Sequence, residues 1–183
     1  HTAHTPVNPH ELPDTTGVTV PAGILQPPCF GKESDDALNV GAIGAVIGHE
    51  LTHGFDDQGR HFDAQGNLND WWTPRDAKEF ETHAQCIVDE YSKFTVVGGV
   101  HVNGKLTLGE NTADNGGLRL AYMALMDRLA AQSAPAIDGF TPAQRFFLGW
   151  GQIWCQNVPG ENARLRAQHD PPSPALYRVT AVP

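Results

Sequence analysis

The chain is poor in cysteine and in basic residues, and it has no long apolar run. Its 183 residues contain three cysteines, Cys29, Cys86 and Cys155, and no CxxC pair, which argues against a zinc site built from cysteines. The 12 basic residues are scattered and outnumbered by 21 acidic ones, which argues against nucleic acid or anionic membranes as partners. No apolar run approaches the ~20 residues that span a bilayer. What remains is an acidic chain of one globular domain.

The most informative segment is His49-Glu50-Leu51-Thr52-His53, an HExxH pattern at the end of an apolar stretch. Residues four apart share a helix face, so His49 and His53 can direct two imidazole nitrogens at one metal ion. Neutral imidazoles suit Zn²⁺, and Glu50 lies where a carboxylate can act as general base on water at the metal. The alternative is a chance pattern of surface or core histidines. Burial of these groups without a partner is costly, so we favour a catalytic zinc site.

A third ligand is predicted in Gly109–Gly117, where Glu110 and Asp114 stand four residues apart. On a helix, Glu110 can bind the metal while Asp114 accepts a hydrogen bond from a ligand histidine. The alternative is a helix N-terminus that is simply enriched in acids. Asp56 and Asp57 are further candidates for supporting the histidines, or for capping the end of the helix.

Five motifs together resemble the catalytic region of neprilysin-type zinc metallopeptidases, the family that includes the endothelin-converting enzymes. They are Pro21–Pro28, Val46–Asp57 (VIGHELTHGFDD), Asp70–Thr73 (DWWT), Leu108–Gly117 (LGENTADNGG) and Phe146–Leu148. The resemblance runs from about Asn8 to Arg178. It implies an α+β, mainly helical, thermolysin-like (gluzincin) catalytic domain with a few short strands. It also implies that residues 1–183 are a single partial domain, without the upstream helical domain and C-terminal tail of the family.

The resemblance assigns roles to the metal-site residues. His49, His53 and Glu110 match the zinc ligands, and Glu50 matches the base that activates water. Asp56 and Asp114 match carboxylates that support the ligand histidines, and Asp114 is counted with Glu50 among the catalytic residues.

Substrate contacts follow from the same resemblance. Asn8 and Arg178 match residues that hold the peptide backbone. Val46 and Trp154 match the wall of the pocket for a large apolar residue after the cut bond. Cys29 replaces a bulkier group there, which makes the pocket roomier.

The chain departs from the family pattern at two places. Pro9-His10-Glu11 follow Asn8 where relatives continue the edge strand that pairs with substrate, and a proline there removes an N–H donor. Pro172 stands where relatives have a histidine that stabilises the oxyanion; His169 is the nearest substitute. Loss of one such donor costs about 10²–10³ in turnover.

Three functions are therefore weighed. The first is a zinc endopeptidase acting on oligopeptides, with a preference for an apolar residue after the cut bond. The second is a zinc-binding but inactive fragment of such an enzyme, and the third is a non-enzymatic interaction module. The intact ligand set, base and supporting acids argue against the third.

Location and partners are expectations as well. The start His1-Thr2-Ala3-His4 has neither an initiator methionine nor a signal-peptide apolar region, which predicts a piece or a processed form. The resemblance implies a secreted, extracellular or periplasmic protein, with a membrane anchor in a missing segment. It also places Cys86 and Cys155 at disulfide positions whose partner cysteines lie in missing segments. The missing helical domain of the same polypeptide is then expected to be a binding partner of this chain.

Local signals predict the elements. We expect a strand at 15–20, helices at 35–54, 73–93, 110–131 and 141–157, and a mostly extended chain over 158–183. Thr73-Pro74 and Thr141-Pro142 are typical helix starts, with threonine as cap and proline in the first turn.

Overall fold

The computed structural model describes residues 10–12 and 17–181. Most of these residues are helical, and the two strands among them form a small antiparallel pair. The predicted mainly helical architecture is therefore confirmed. The strands are β1 (His10–Leu12) and β2 (Gly17–Thr19). The helices are α1 (Asp36–Asn39), α2 (Ala45–His53), α3 (Pro74–Tyr91), α4 (Leu108–Ala131), α5 (Pro142–Ile153), α6 (Gly160–His169) and α7 (Ala175–Thr180).

The helix that carries the HExxH motif is built in three parts. Asp35 caps α1 by accepting hydrogen bonds from the amides of Ala37 and Leu38. A π-helical turn over Val40–Gly44 then joins α1 to α2, so the predicted helix over 35–54 exists but is not a regular α-helix. Wide turns of this kind are frequent at functional sites.

The core lies between this composite helix, α4 and α5. Its buried residues are Ala37, Ala45, Leu118, Ala121, Leu125, Phe146 and Trp150. Glycines allow the backbones to approach closely: a Cβ on Gly41 would lie 1.9 Å from the carbonyl oxygen of Phe146. One on Gly48 would lie 2.7 Å from that of Gly117. The ligand-bearing helices are therefore packed with their backbones almost in contact.

The hairpin lies beside α2. β1 and β2 are antiparallel, with His10 opposite Thr19 and Leu12 opposite Gly17. The strand predicted at 15–20 is seen as Gly17–Thr19. Both strands contact α2, so residues 10–12 and 17–19 lie beside the helix that carries the HExxH motif.

The two threonine-proline starts are confirmed. Thr73 and Thr141 each accept a hydrogen bond from the amide three residues on, and Thr141 forms a reciprocal capping box with Gln144. The first of these helices ends at Tyr91 and the second at Ile153, close to the predicted ends at 93 and 157.

The prediction of a mostly extended chain over 158–183 is wrong. Two helices, α6 and α7, occupy most of it. Pro159 and Pro174 each precede a helix at its N-cap, where a missing N–H breaks no helical hydrogen bond. Residues 160–169 are also rich in Glu, Ala, Leu and Arg, which favour helix. Within the described residues, none of the helices has the length and apolar character needed to cross a membrane.

Candidate metal centre and active site

Three predicted ligands from two helices converge. His49 and His53 are one turn apart on α2, and their Nε2 atoms lie 3.0 Å from each other. Glu110, in the first turn of α4, places Oε2 3.6 Å from the Nε2 of His49 and Oε1 3.6 Å from that of His53. Two ligand atoms at 2.0–2.1 Å from a tetrahedral zinc ion are themselves about 3.3 Å apart. The spacing of the three groups fits one zinc ion.

The far nitrogens of both histidines are held by carboxylates. Nδ1 of His49 lies 2.8 Å from Oδ1 of Asp114, and Nδ1 of His53 lies 2.7 Å from Oδ2 of Asp56. An ionised carboxylate only accepts, so each Nδ1 carries a proton and Nε2 is the nitrogen left to bind another partner. Two Nε2 lone pairs 3.0 Å apart need a shared proton or a metal ion between them. The donor set therefore suits a metal ion.

Asp56 is fixed by the turn that follows α2. Its Oδ1 accepts hydrogen bonds from the amides of Gln58 at 2.8 Å and Gly59 at 2.7 Å. Burial raises the pKa of Asp56, but the bonds to His53 and to these amides outweigh it and the net pKa is lowered. Burial likewise lowers the pKa of His53, while the bond to Asp56 and the charges of Glu110 and Glu50 leave it raised. This turn keeps Asp56 ionised behind the histidine.

Asp114 is shared between His49 and Arg178. The guanidinium donates from Nε to Oδ2 and from Nη2 to Oδ1, both at 2.6 Å. Burial raises the pKa of Asp114, but the charge of Arg178 and the bond to His49 hold it below its usual value. Nη2 also lies 3.5 Å from Oε2 of Glu110, and the guanidinium stacks 3.9 Å from the ring centre of Trp154. The positive charge of Arg178 thus offsets the negative charges of Asp114 and of the predicted ligand Glu110.

A cavity of about 610 Å³ contains the metal group and the predicted base. Glu50 lies in it beside the histidines and is only 8 % exposed. Much of the cavity lining is apolar or weakly polar, including Ile24, Cys29, Val46, Trp150, Ile153 and Trp154. Burial raises the pKa of the Cys29 thiol, so this wall is uncharged. Arg178 and Pro172 also line the cavity.

Other predicted residues lie elsewhere. Asn8 falls outside the described residues. His169, named from the sequence as the nearest substitute for a donor at 172, is exposed at the end of α6 and does not line the cavity. Of the two acids after α2, Asp56 supports a histidine, while Asp57 accepts from the side chain of Gln58.

The pairing of Asp114 with Arg178 is a feature that sequence reasoning missed. The residues are 64 positions apart, and no local pattern connects them. The same holds for Trp150, whose indole N–H donates to the carbonyl oxygen of Arg178 at 2.9 Å. Both contacts depend on the helical C-terminal segment, which was predicted to be extended.

Comparison with known sequences points to one family. A family profile described as Peptidase family M13 matches residues 8–183. Endothelin-converting enzyme 1 of Mus musculus is 45% identical over 177 residues, which is 94% of this chain and 23% of the relative. Neprilysin-1 of Caenorhabditis elegans is 44% identical over 182 residues, 96% of this chain and 24% of the relative. The chain thus spans about a quarter of the length of these relatives.

Solved structures agree. A crystal structure of the Mycobacterium tuberculosis zinc metalloprotease ZMP1 with an inhibitor matches with a TM-score of 0.93 and 44% identity, covering 96% of this chain and 28% of that one. PepO from a Lactobacillus matches with a TM-score of 0.82 and 35% identity, covering 94% and 26%. This likeness confirms the thermolysin-like catalytic fold and the resemblance noted from the motifs. The chain belongs to peptidase family M13.

Proposed function

We propose that this chain is the zinc-binding, catalytic part of an endopeptidase that hydrolyses oligopeptides. One observation carries the proposal: Nε2 of His49, Nε2 of His53 and the Glu110 carboxylate meet at zinc-like spacing in a cavity that also holds Glu50. The names of the relatives and of the matched structures support peptidase activity for the family.

His49, His53 and Glu110 would hold Zn²⁺ through two neutral nitrogens and a carboxylate. When bound, zinc supplies Lewis-acid chemistry, polarising a carbonyl and making water acidic enough to attack at neutral pH. Asp114 and Asp56 keep each imidazole in the tautomer that turns Nε2 to the metal. These two carboxylates thus fix the protonation state and the orientation of the histidine ligands.

Glu50 is the general base. It accepts the proton of the attacking water and passes it to the nitrogen of the departing amine, so it cycles without a net change of charge. Its place on α2 beside both ligand histidines, inside the cavity and largely shielded from solvent, supports this role.

The cavity lining offers polar groups for the peptide backbone and apolar groups for a substrate side chain. Arg178 is the donor for a peptide carbonyl, and its bonds to Asp114 keep the guanidinium rigid at the cavity wall. Asn8 holds the peptide backbone. Val46, Trp154 and their apolar neighbours take an apolar side chain after the cut bond, and the small Cys29 belongs to the same lining.

A second function is favoured by a specific observation. Pro172 lines the cavity where the resemblance implies a histidine, and proline has no donor for a developing oxyanion. The chain would then bind zinc and peptide with little turnover, as an inactive fragment.

The rest of the polypeptide is part of the proposal. The chain spans about a quarter of its relatives, and we infer that an upstream helical domain of the same protein completes the cleft around peptide substrates. We place the protein outside the cytoplasm, extracellular or periplasmic, by analogy with the family.

Cleavage of an internally quenched peptide with a central leucine separates the two functions. Zinc-loaded parent chain is compared with Glu50→Gln, which keeps the size of the base but cannot accept a proton. Cleavage by the parent alone supports the endopeptidase. Equal cleavage by both contradicts the role of Glu50, and zinc and peptide binding without cleavage by either supports the inactive fragment.

A further inference from the structure

A relay of buried hydrogen bonds joins the cavity wall to the start of α4. Ser173 Oγ donates to Oδ1 of Asn111 at 2.7 Å, and Asn111 Nδ2 donates to Thr107 Oγ1 at 2.9 Å. Thr107 Oγ1 lies 3.2 Å from the carbonyl oxygen of Asn103. The three side chains are almost sealed from solvent, with exposures of 4 % for Ser173, 0 % for Asn111 and 1 % for Thr107.

The chemistry of the last acceptor sets the direction of the whole relay. The Thr107 hydroxyl donates to the carbonyl oxygen of Asn103, which also accepts from the Thr107 amide at 3.0 Å. Thr107 Oγ1 therefore accepts from the amide nitrogen of Asn111. The amide oxygen of Asn111 must then face Ser173, which donates. With the amide reversed, Ser173 Oγ would accept from Asn111 and its own proton would have no acceptor among the described residues, so the bonded arrangement uses every donor.

The relay connects the two sides of the candidate active site. Ser173 follows Pro172, which lines the cavity, and Asn111 follows the predicted ligand Glu110. The other end of the same C-terminal segment is held by the bidentate pair of Arg178 with Asp114. Two polar attachments to α4 thus fix this segment at positions 173 and 178.

We propose that Ser173 and Asn111 are positioning residues that hold the Pro172 wall against the ligand-bearing helix and thereby set the affinity of the cavity for peptide. The inference rests on the proposed function. Neither residue lines the cavity; Ser173 acts through its neighbour Pro172, and Asn111 acts through its bond with Ser173. Without the Ser173 hydroxyl, the amide oxygen of Asn111 has no donor at a site that water does not reach. The turn around Ser173 must then move to admit a water molecule.

The first test uses Ser173→Ala in zinc-loaded chain carrying Glu50→Gln, so that peptide binds without turnover. We expect amide hydrogen exchange over 170–178 to rise about tenfold, because the turn opens to rehydrate Asn111. Exchange over 45–53 and zinc affinity stay within about twofold. The dissociation constant of a fluorescein-labelled peptide with a central leucine rises about fivefold.

Thr180→Ala is the matched control. Its hydroxyl lies in the same segment, is exposed and bonds only the carbonyl oxygen of Leu176 in its own helix. We expect neither exchange over 170–174 nor peptide affinity to change in this variant. A purely structural role for Ser173 would give faster exchange with peptide affinity unchanged, and that result overturns the proposal.

Asn111→Asp provides a second variant of almost the same size. Its carboxylate can still accept from Ser173, but it cannot donate to Thr107 and it places a charge where the side chain has no exposed surface. We expect the same two changes as for Ser173→Ala. Unchanged exchange in both variants contradicts the inference. If the Glu50→Gln chain binds no peptide, it is the proposed function that fails; if it binds peptide and Ser173→Ala leaves that affinity unchanged, it is the inference that fails.

Discussion

The backbone of Gly117 lies against the backbone of His49. A Cβ atom on Gly117 would lie 2.3 Å from the amide nitrogen of His49 and 2.7 Å from the carbonyl oxygen of Ala45. Gly117 follows Asp114 by three residues and Glu110 by seven, so all three lie on the face of α4 that meets α2. The close approach of these two helices lets a carboxylate on one reach histidines on the other.

Gly117→Ala should weaken zinc binding. The added methyl group meets backbone atoms that cannot rotate away, so α2 and α4 must separate and Glu110 moves from the histidines. We expect at least a tenfold loss of zinc affinity, together with about 1–3 kcal/mol of lost stability from overpacking.

Gly151→Ala is the control for this change. It adds the same atom to α5, where the nearest neighbour is a methyl carbon of Val179 at 3.9 Å. Competition with a zinc-binding dye measures both variants. Equal zinc affinity in the two would show that the helix approach does not set the metal site.

Asp35→Asn should lower stability in a pH-dependent way. Asp35 accepts from Arg145 Nε at 2.8 Å and from Nη2 at 3.1 Å, linking the start of α1 to α5. The bonds from Arg145 hold the pKa of Asp35 below its usual value, although burial opposes them. Asparagine keeps the cap but loses the charge, so we expect a loss of about 1–3 kcal/mol at pH 7.

The sign of the pH effect follows from the lowered pKa. The carboxylate stabilises the fold fully above its unfolded pKa of about 3.9, and this stabilisation disappears as pH falls through the lower folded pKa. Urea unfolding of parent and variant at pH 7, 5 and 3 measures it. The difference in free energy of unfolding between parent and variant should be constant from pH 7 to 5 and shrink towards pH 3. A difference that stays constant down to pH 3 would refute this.

Pro172→His should increase turnover of a cleavable peptide. Pro172 lines the cavity, and an imidazole there offers a donor to the developing oxyanion, as the family resemblance implies. We expect kcat to rise by up to about 10²-fold with a smaller change in KM. Steady-state kinetics on the quenched peptide provide the measurement.

Pro172→Ala separates this gain from the simple removal of a proline ring. Alanine frees the backbone but supplies no donor, so kcat should stay at the parental value. Equal gains in the two variants would mean that backbone freedom, not an oxyanion donor, limits the reaction.

Local sequence patterns predict the metal site more completely than they predict the rest of the fold. The i, i+4 spacing of His49 and His53 predicts shared orientation on a helix, and the structure brings Glu110 to them at 3.6 Å. Caps such as Thr141 also depend on neighbours in sequence and were predictable. The expectation of an extended chain over 158–183 does not allow for Pro159 and Pro174 as N-cap residues, a position where proline is compatible with a helix.

Long-range polar contacts had no sequence signal. Arg178 was assigned from resemblance to substrate binding, whereas its bidentate bond to Asp114 becomes visible only when α7 is packed against α4. The relay from Ser173 to Asn111 spans 62 positions and depends on the same packing. Such contacts follow from tertiary geometry, which periodicity and composition do not encode.

Zinc stoichiometry of the parent chain and of Glu110→Ala tests the central claim most directly. Equilibrium dialysis with elemental analysis counts bound zinc at known free concentrations. We predict one zinc ion per parent chain, and for Glu110→Ala an affinity lower by at least 100-fold, because two histidines leave a tetrahedral ion half-coordinated. Equal zinc binding by the two chains, or none by the parent, would contradict the account.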